Sequence, residues 1–96
     1  MTVYASIGNS DDKLTQAEWC AFTLSFVNTI KLLAERILGE WYSAPKSPWQ
    51  NACVGFIVSE QNAPFLKSKL ADLAPRYRQD SIAWAEVSTT LFLCTA

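Results

Sequence analysis

Three short polar runs contain most of the side chains with which this chain could bind or react. The first run, residues 8–13, lies between an apolar strand-like run and an apolar helix-like run, and its side chains are those of Asn9, Ser10, Asp11, Asp12 and Lys13. Backbone amides and Lys13 in such a loop can bind a phosphate. Asp11 and Asp12 would repel that anion. The two aspartates could instead accept from ribose hydroxyls, hold a divalent ion through oxygens, or simply stabilise the helix N-terminus.

The second run joins a later helix-like segment to a later strand-like segment and contains Arg76, Arg78, Gln79 and Asp80. Two arginines at such a junction can grip a phosphate or carboxylate bidentately. Gln79 and Asp80 can read the edge of a base or an amide. The alternative is an intramolecular network in which an arginine pairs with an aspartate of the first run.

The third run, Trp49, Gln50 and Asn51, places an aromatic plane beside two amides. That combination suits the stacking of a nucleobase and hydrogen bonding to its edge. The alternative is a tryptophan that anchors the loop bracketed by Pro45 and Pro48.

Some residue types are scarce, and this restricts the chemistry. The chain has no histidine, which removes the commonest general base and metal ligand and every Ser–His or Cys–His nucleophile pair. Cys20, Cys53 and Cys94 form no Cys-x-x-Cys pair, and apolar neighbours predict small buried hydrophobes in a reducing cytoplasm. We therefore expect a protein that is not an enzyme, with no catalytic residue, bound metal or cofactor. A weaker alternative is an enzyme that uses Asp11 or Asp12 with a metal ion.

Composition limits the remaining classes. The 96 residues predict a single domain, 1–96, and a charged fraction of only 18% favours a homo-oligomer over a monomer. A net charge of −1 argues against binding to duplex nucleic acid, which calls for a basic face. No apolar run approaches the ~20 residues that span a bilayer, and no secretory signal opens the chain. We expect a cytoplasmic protein without a membrane partner.

Periodicity predicts six elements. Residues 3–7 alternate as a strand, and a capping box at Thr15 and Glu18 opens a helix over about residues 16–33. This helix is so apolar that we expect it to bury more than one side, including one against a partner chain. Strands are predicted over residues 40–43, 52–58 and 81–87. A second helix is predicted from an N-cap at Asn62 to a stop at Pro75, and a short edge strand or docking tail at residues 91–93.

The order strand, helix, strand, strand, helix, strand predicts an α+β fold, a ferredoxin-like βαββαβ sandwich. Two helices would cover one face of an antiparallel sheet. The open face would carry aromatic side chains, namely Tyr4, Trp41 or Tyr42, and Trp84. Because the first and last strands run antiparallel, the first two polar runs should meet at one end of the sheet.

Three segments together resemble a group of small, uncharacterised proteins of actinobacterial phages. They are SIGNSDDKLTQ at residues 6–16, WQNAC at residues 49–53 and RQDSIAW at residues 78–84. The resemblance implies no particular activity. It implies the cytoplasm of a host cell, and a context in which small phage proteins sequester nucleotide signals of host immunity.

The leading hypothesis is a phage-type binding protein that sequesters a small phosphorylated, nucleotide-derived ligand. Asn9, Ser10 and Lys13 would donate hydrogen bonds, Arg76 and Arg78 would neutralise phosphate, and Trp49 or Trp84 would stack the base. The alternative is a protein-interaction module that inhibits a host protein through its aromatic sheet face or its apolar helix.

Overall fold

The structure, a computed structural model, describes residues 1–9, 11–45 and 47–88. In this part of the chain, two helices pack on one four-stranded antiparallel sheet. The strands are β1 (Thr2–Gly8), β2 (Arg36–Tyr42), β3 (Asn51–Ile57) and β4 (Ala83–Val87). The helices are α1 (Gln16–Leu33) and α2 (Ala63–Arg76). The strand order β2-β3-β1-β4 and the chain order confirm the predicted ferredoxin-like fold.

The core lies between the sheet and the two helices, as the alternation of apolar residues requires. Val3, Ala5 and Ile7 of β1 are buried, and so are Val54 and Phe56 of β3. The central strands therefore send every second side chain under the helices. Their other side chains form the open face of the sheet.

Helix α1 has the predicted bounds because its start is fixed by local hydrogen bonds. The Thr15 hydroxyl accepts from the Glu18 amide at 3.2 Å, and the Glu18 carboxylate accepts from the Thr15 amide at 3.1 Å. Phe22, Phe26 and Ile30 point into the core. The expected second apolar side of α1 is exposed and discontinuous, since the polar Asn28 lies between its exposed leucines at positions 24 and 32.

Strand β2 begins at Arg36, four residues before the predicted start. The pairing with β3 slips between Ile37 and Gly39, so Leu38 is an extra residue in the ladder. Such a bulge breaks the period-two pattern by which a strand is recognised in a sequence. Strands β3 and β4 keep their predicted positions with ends moved by one or two residues.

The ends of α2 also differ from expectation. The Asn62 side chain makes no capping bond. The backbone N–H of Asn62 donates to the Ser59 hydroxyl at 3.1 Å. The helix continues one residue beyond Pro75, because the fixed φ of proline is itself helical and only one hydrogen bond is lost. The strand or tail predicted at residues 91–93 lies outside the described residues.

The expected burial of the cysteines is wrong for Cys20, which is exposed on α1. Cys53 is half-buried on the open side of β3, and Cys94 lies outside the described residues. Within the described ranges, no helix combines the length and apolar character that crossing a bilayer requires.

Candidate functional site

All three polar runs lie at one end of the sheet. The antiparallel order puts the ends of β1 and β2 beside the starts of β3 and β4. The Asn9 amide donates to the Gln50 carbonyl at 2.8 Å, and Arg78 donates to the Lys13 carbonyl at 2.9 Å. The predicted meeting of the first two polar runs is therefore confirmed at Lys13, Arg78 and Asp80.

Arg78 is occupied by protein groups at this junction. One Nη2 atom donates to the Lys13 carbonyl and to the Glu18 carboxylate, each at 2.9 Å. The backbone of Arg78 is left-handed, with φ 54°, and the Gln79 amide closes the end of α2 on the Ala74 carbonyl at 2.8 Å. This is a Schellman-type helix end in which arginine stands where glycine is usual. Arg78 therefore belongs to an intramolecular network, the alternative to a ligand site, but its partner is Glu18 and not an aspartate of the first run.

Lys13 lies between two carboxylates at the same junction. Its Nζ is 3.3 Å from Asp11 and 3.9 Å from Asp80. A cavity of about 230 Å³ beside it is lined by Gly8, Asp11, Gln79, Asp80 and Ser81. Carboxylates on both sides oppose the entry of a phosphate.

Arg76 lies elsewhere. It borders a shallow depression of about 180 Å³ between the two helices, together with Lys69, Asp72 and Thr29. Arg76 closes the last turn of α2 and Arg78 follows it in a left-handed turn, so the two side chains line different surfaces. The structure does not bring the two arginines together.

Asn9 and Gln50 form a buried amide cluster with Gln16. Asn9 is only 2% exposed; its carbonyl oxygen accepts from the Leu14 amide at 2.9 Å, and its nitrogen donates to Gln50 Oε1 at 2.9 Å. Gln50 Nε2 donates to Gln16 Oε1 at 2.7 Å. The side chains of Asn9, a predicted donor, and of Gln50, a predicted ligand-binding amide, are thus bonded to the protein itself. Ser10, another predicted donor, lies outside the described residues.

Trp49 and Asn51 lie at the surface of the loop before β3. The Trp49 ring is 67% exposed, and the Asn51 amide donates to the Trp49 carbonyl at 2.9 Å. The exposed ring does not anchor the loop by burial. It is free to contact a ligand or a partner.

Trp84 was predicted on the open face, and this placement is wrong. It packs edge-on against Phe56 at 5.7 Å between ring centres, on the helix side of the sheet, under Lys67 of α2. Its indole nitrogen donates to Glu86 at 3.0 Å, and Lys67 and Trp84 together lower the pKa of the Glu86 carboxyl by hydrogen bonding. The physical reason is the strand register. Trp84 pairs with Ala5, which is buried under the helices, and residues paired across two strands lie on the same face of the sheet.

Sequence reasoning missed a groove of about 400 Å³ between the start of α1 and the end of β2. Trp19 and Tyr42 contribute aromatic surface, Cys20 a thiol, and Gln50 and Asn51 amides. Burial and a hydrogen bond to Glu40 raise the pKa of Tyr42 to about 12. Tyr42 pairs with buried Ala52, so its side chain joins the helix layer. The signal that could have revealed the groove is the alternation of inward and outward residues along β2, which would place Tyr42 on the helix side. The bulge at Leu38 hides that alternation in the sequence.

The open face contains three complete cross-strand rows of four residues each, beside the further pair Gly8–Asn51. The strand registers give the rows as Arg36–Ile57–Thr2–Val87, Gly39–Gly55–Tyr4–Ala85 and Trp41–Cys53–Ser6–Ala83. Tyr4 and Trp41 are 37% and 50% exposed, with ring centres 6.1 Å apart. Two of the three aromatic positions predicted for this face are therefore confirmed, with Trp41 rather than Tyr42 on β2.

Gly39 and Gly55 explain how these two rings lie. A Cβ added to Gly39 would come within 2.7 Å of the Trp41 ring, and one added to Gly55 within 2.7 Å of the Tyr4 ring. Both rings thus lie over glycine backbone, in space that a Cβ would otherwise occupy. The role of the two glycines was missed, although their place within apolar strands was a signal.

Comparisons with protein-family models, with curated proteins and with solved structures find no match for this chain. Over the described ranges, no three potential ligand side chains cluster in a way that would hold a metal ion. The site is therefore interpreted from its own geometry.

Proposed function

We propose that the domain is a protein-interaction module that binds through the open face of its sheet. The observation that carries the proposal is the pair of rings, Tyr4 and Trp41, which lie close over Gly39 and Gly55 and are still exposed to solvent. Apart from Arg36 at the β2 edge, the three rows around them consist of small or apolar residues.

Rings held in this way suit binding. Tryptophan and tyrosine dominate the energetics of protein interfaces because each buries a large area at a small cost in side-chain entropy. Contact with the glycine backbone further restricts Tyr4 and Trp41 before a partner arrives, which lowers the entropy lost on binding. Removing such a central ring typically costs about 2 kcal/mol or more of binding free energy.

The contrast with the loop end of the sheet supports this choice. There, Arg78, Lys13, Asn9 and Gln50 are all bonded to protein groups. A ligand that used them would first have to break those bonds. The open face requires no such rearrangement.

Affinity capture with matched variants tests the proposal. Trp41→Ser removes a ring from the open face, and Trp49→Ser removes an exposed ring from a loop. We expect a partner that the wild type and Trp49→Ser retain and that Trp41→Ser loses. The purified partner should bind the three purified proteins in the same way. Identical captured proteins for all three chains, each folded by circular dichroism, together with no self-association that depends on Trp41, would refute the proposal.

A second candidate function is binding of a small planar ligand in the 400 Å³ groove, and the volume and aromatic walls of that groove favour it. The described lining residues include no cation, so the groove suits the ring of a nucleotide-derived ligand better than its phosphate. Sequestration of a phosphorylated ligand remains a prediction.

Calorimetry tests this candidate with nucleobases, nucleosides and linear and cyclic nucleotides. Tyr42→Leu should weaken any binding in the groove, whereas Trp49→Leu should leave it unchanged. A folded wild-type protein that binds no member of the panel would refute the candidate.

A further inference from the structure

We propose that the partner of the open sheet face is a second copy of this chain, packed sheet on sheet about a two-fold axis parallel to the strands. This inference rests on the proposed function and names the partner of the same face.

Charge is the first argument. Of the twelve positions in the three rows, only Arg36 carries a formal charge, and it lies in the first row at the edge formed by β2. A nearly neutral face meets its own copy without like-charge repulsion, and it offers no complement to a charged partner. The proposed axis sends the two Arg36 side chains to opposite edges of the interface, where both reach solvent.

Shape is the second argument. The face is raised at Trp41 and Tyr4 and low at Ser6, Ala83 and Ala85 on the side of β4. A two-fold axis parallel to the strands lays β2 of one copy across β4 of the other. Trp41 of each copy then faces Ala83 of its partner, and the raised part of one face meets the low part of the other. Packed sheets are ordinarily separated by about 10 Å, which side chains of these sizes can fill.

Area sets the expected strength. Strands about 4.8 Å apart, three of seven residues and one of five, each residue rising about 3.3 Å, cover roughly 410 Å² on each copy. The total of roughly 800 Å² is below the ~1,200–2,000 Å² of stable complexes. We therefore expect a weak dimer that forms in the micromolar range or above, rather than a permanent one.

Two native cysteines test the geometry without any mutation. Cys53 lies in the row of Trp41 and would be covered by the partner, whereas Cys20 is exposed on α1, on the opposite layer. Alkylation by iodoacetamide is followed by mass spectrometry of the separate peptides over a range of protein concentrations. Cys53 should react about fivefold more slowly once four fifths of the chains are dimeric, because only the monomer exposes it. The Cys20 rate should not change.

Sedimentation velocity on matched variants completes the test. Ala85→Glu places a charge in the middle row and should leave the protein monomeric. Ala21→Glu makes the same change on the exposed side of α1 and should dimerise as the wild type does. Trp41→Lys is the second disrupting variant should Ala85→Glu fail to fold.

A protein that stays monomeric at every concentration, or that dimerises without protection of Cys53, would overturn the inference. The proposed function would survive that result if a different partner is still lost with Trp41→Ser. Monomeric behaviour together with no partner that depends on Trp41 would remove both proposals.

Discussion

The guanidinium of Arg78 lies 2.9 Å from the carboxylate of Glu18, and this pair joins the turn that follows α2 to the first turn of α1. A carboxylate at the N-terminus of α1 and a cation at the C-terminus of α2 each oppose the partial charge of their own helix end. The same guanidinium holds the Lys13 carbonyl. The second polar run thus fixes the loop that leads into α1.

Replacing Arg78 separates the contribution of its backbone from that of its side chain. Both Arg78→Ala and Arg78→Gly lose the bonds to Glu18 and Lys13. Glycine adopts the observed φ of 54° freely, whereas alanine retains a cost of about 1 kcal/mol there. We expect urea denaturation to rank Arg78→Gly about 1 kcal/mol more stable than Arg78→Ala. Equal stabilities would contradict the left-handed backbone at this position.

Glu18 should make stability depend on pH. The backbone amide of Thr15, followed by the Arg78 guanidinium, lowers the pKa of the Glu18 carboxyl below its ordinary 4.5. The contribution of the Glu18 carboxylate to the free energy of unfolding is therefore complete above pH 4.5, and it is lost as the pH falls through the lowered folded-state pKa. Glu18→Gln should be less stable than the wild type at neutral pH, and the difference should shrink under acid. A difference in unfolding free energy that stays constant between neutral and acidic pH would count against the pair.

Local signals explain why so much of the fold could be predicted. Strand alternation marked β1 and β3, and the capping box at Thr15 and Glu18 fixed the first residue of α1. The meeting of two polar loops followed from strand directions alone. Each of these inferences depends on neighbours in the sequence or on the topology of a known element order.

The remaining features depend on contacts between distant residues. The partner of Arg78 is sixty residues away and could not be chosen from the several carboxylates in the sequence. The side of the sheet on which Trp84 lies is set by its register with β1. The bulge in β2 and the glycines beneath Trp41 and Tyr4 likewise appear only when strands are paired. These features define the candidate surfaces, so the candidate sites were less predictable than the fold.

Gly55→Ala tests whether the rings of the open face depend on backbone without a Cβ. The added carbon would lie 2.7 Å from the Tyr4 ring and 3.2 Å from the Trp41 ring, so both must shift. Crowding of this kind typically costs about 1–3 kcal/mol of stability. Because both rings are exposed and can move, we expect a loss at the lower end, about 1 kcal/mol. Thermal or urea unfolding measures the loss, and it should be accompanied by easier quenching of tryptophan fluorescence.

Gly8→Ala is the matched control for that change. Its added carbon would make only an ordinary contact, 3.6 Å from the Gln50 carbonyl, and the backbone there is not left-handed. Alanine should therefore be neutral or slightly stabilising at Gly8 because it reduces the entropy of the unfolded chain. Equal destabilisation at both positions would show that the rings over Gly55 do not decide the outcome.

Asn9 should be the most sensitive polar residue of the first loop. Its amide satisfies the Leu14 amide and carbonyl and Gln50 Oε1, all in a buried position. Asn9→Ala removes the partner of both Leu14 groups and leaves Gln50 Oε1 with only the hydrogen bond from Gln16, so it should cost about 2–4 kcal/mol in urea unfolding.

Asn9→Asp distinguishes this structural role from a role in binding a ligand. The second carboxylate oxygen would face the Leu14 carbonyl and Gln50 Oε1, two acceptors that now receive a hydrogen bond from the Asn9 nitrogen. Folding would then favour the protonated acid and raise the pKa of the new carboxyl. Its contribution is complete below the unfolded-state pKa of about 3.9 and is lost as the pH rises. Asn9→Asp should thus lose less stability, relative to the wild type, at acidic than at neutral pH.

If instead it is as stable as the wild type at neutral pH, the buried amide cluster does not hold this loop, and Asn9 becomes available again as a ligand-binding residue.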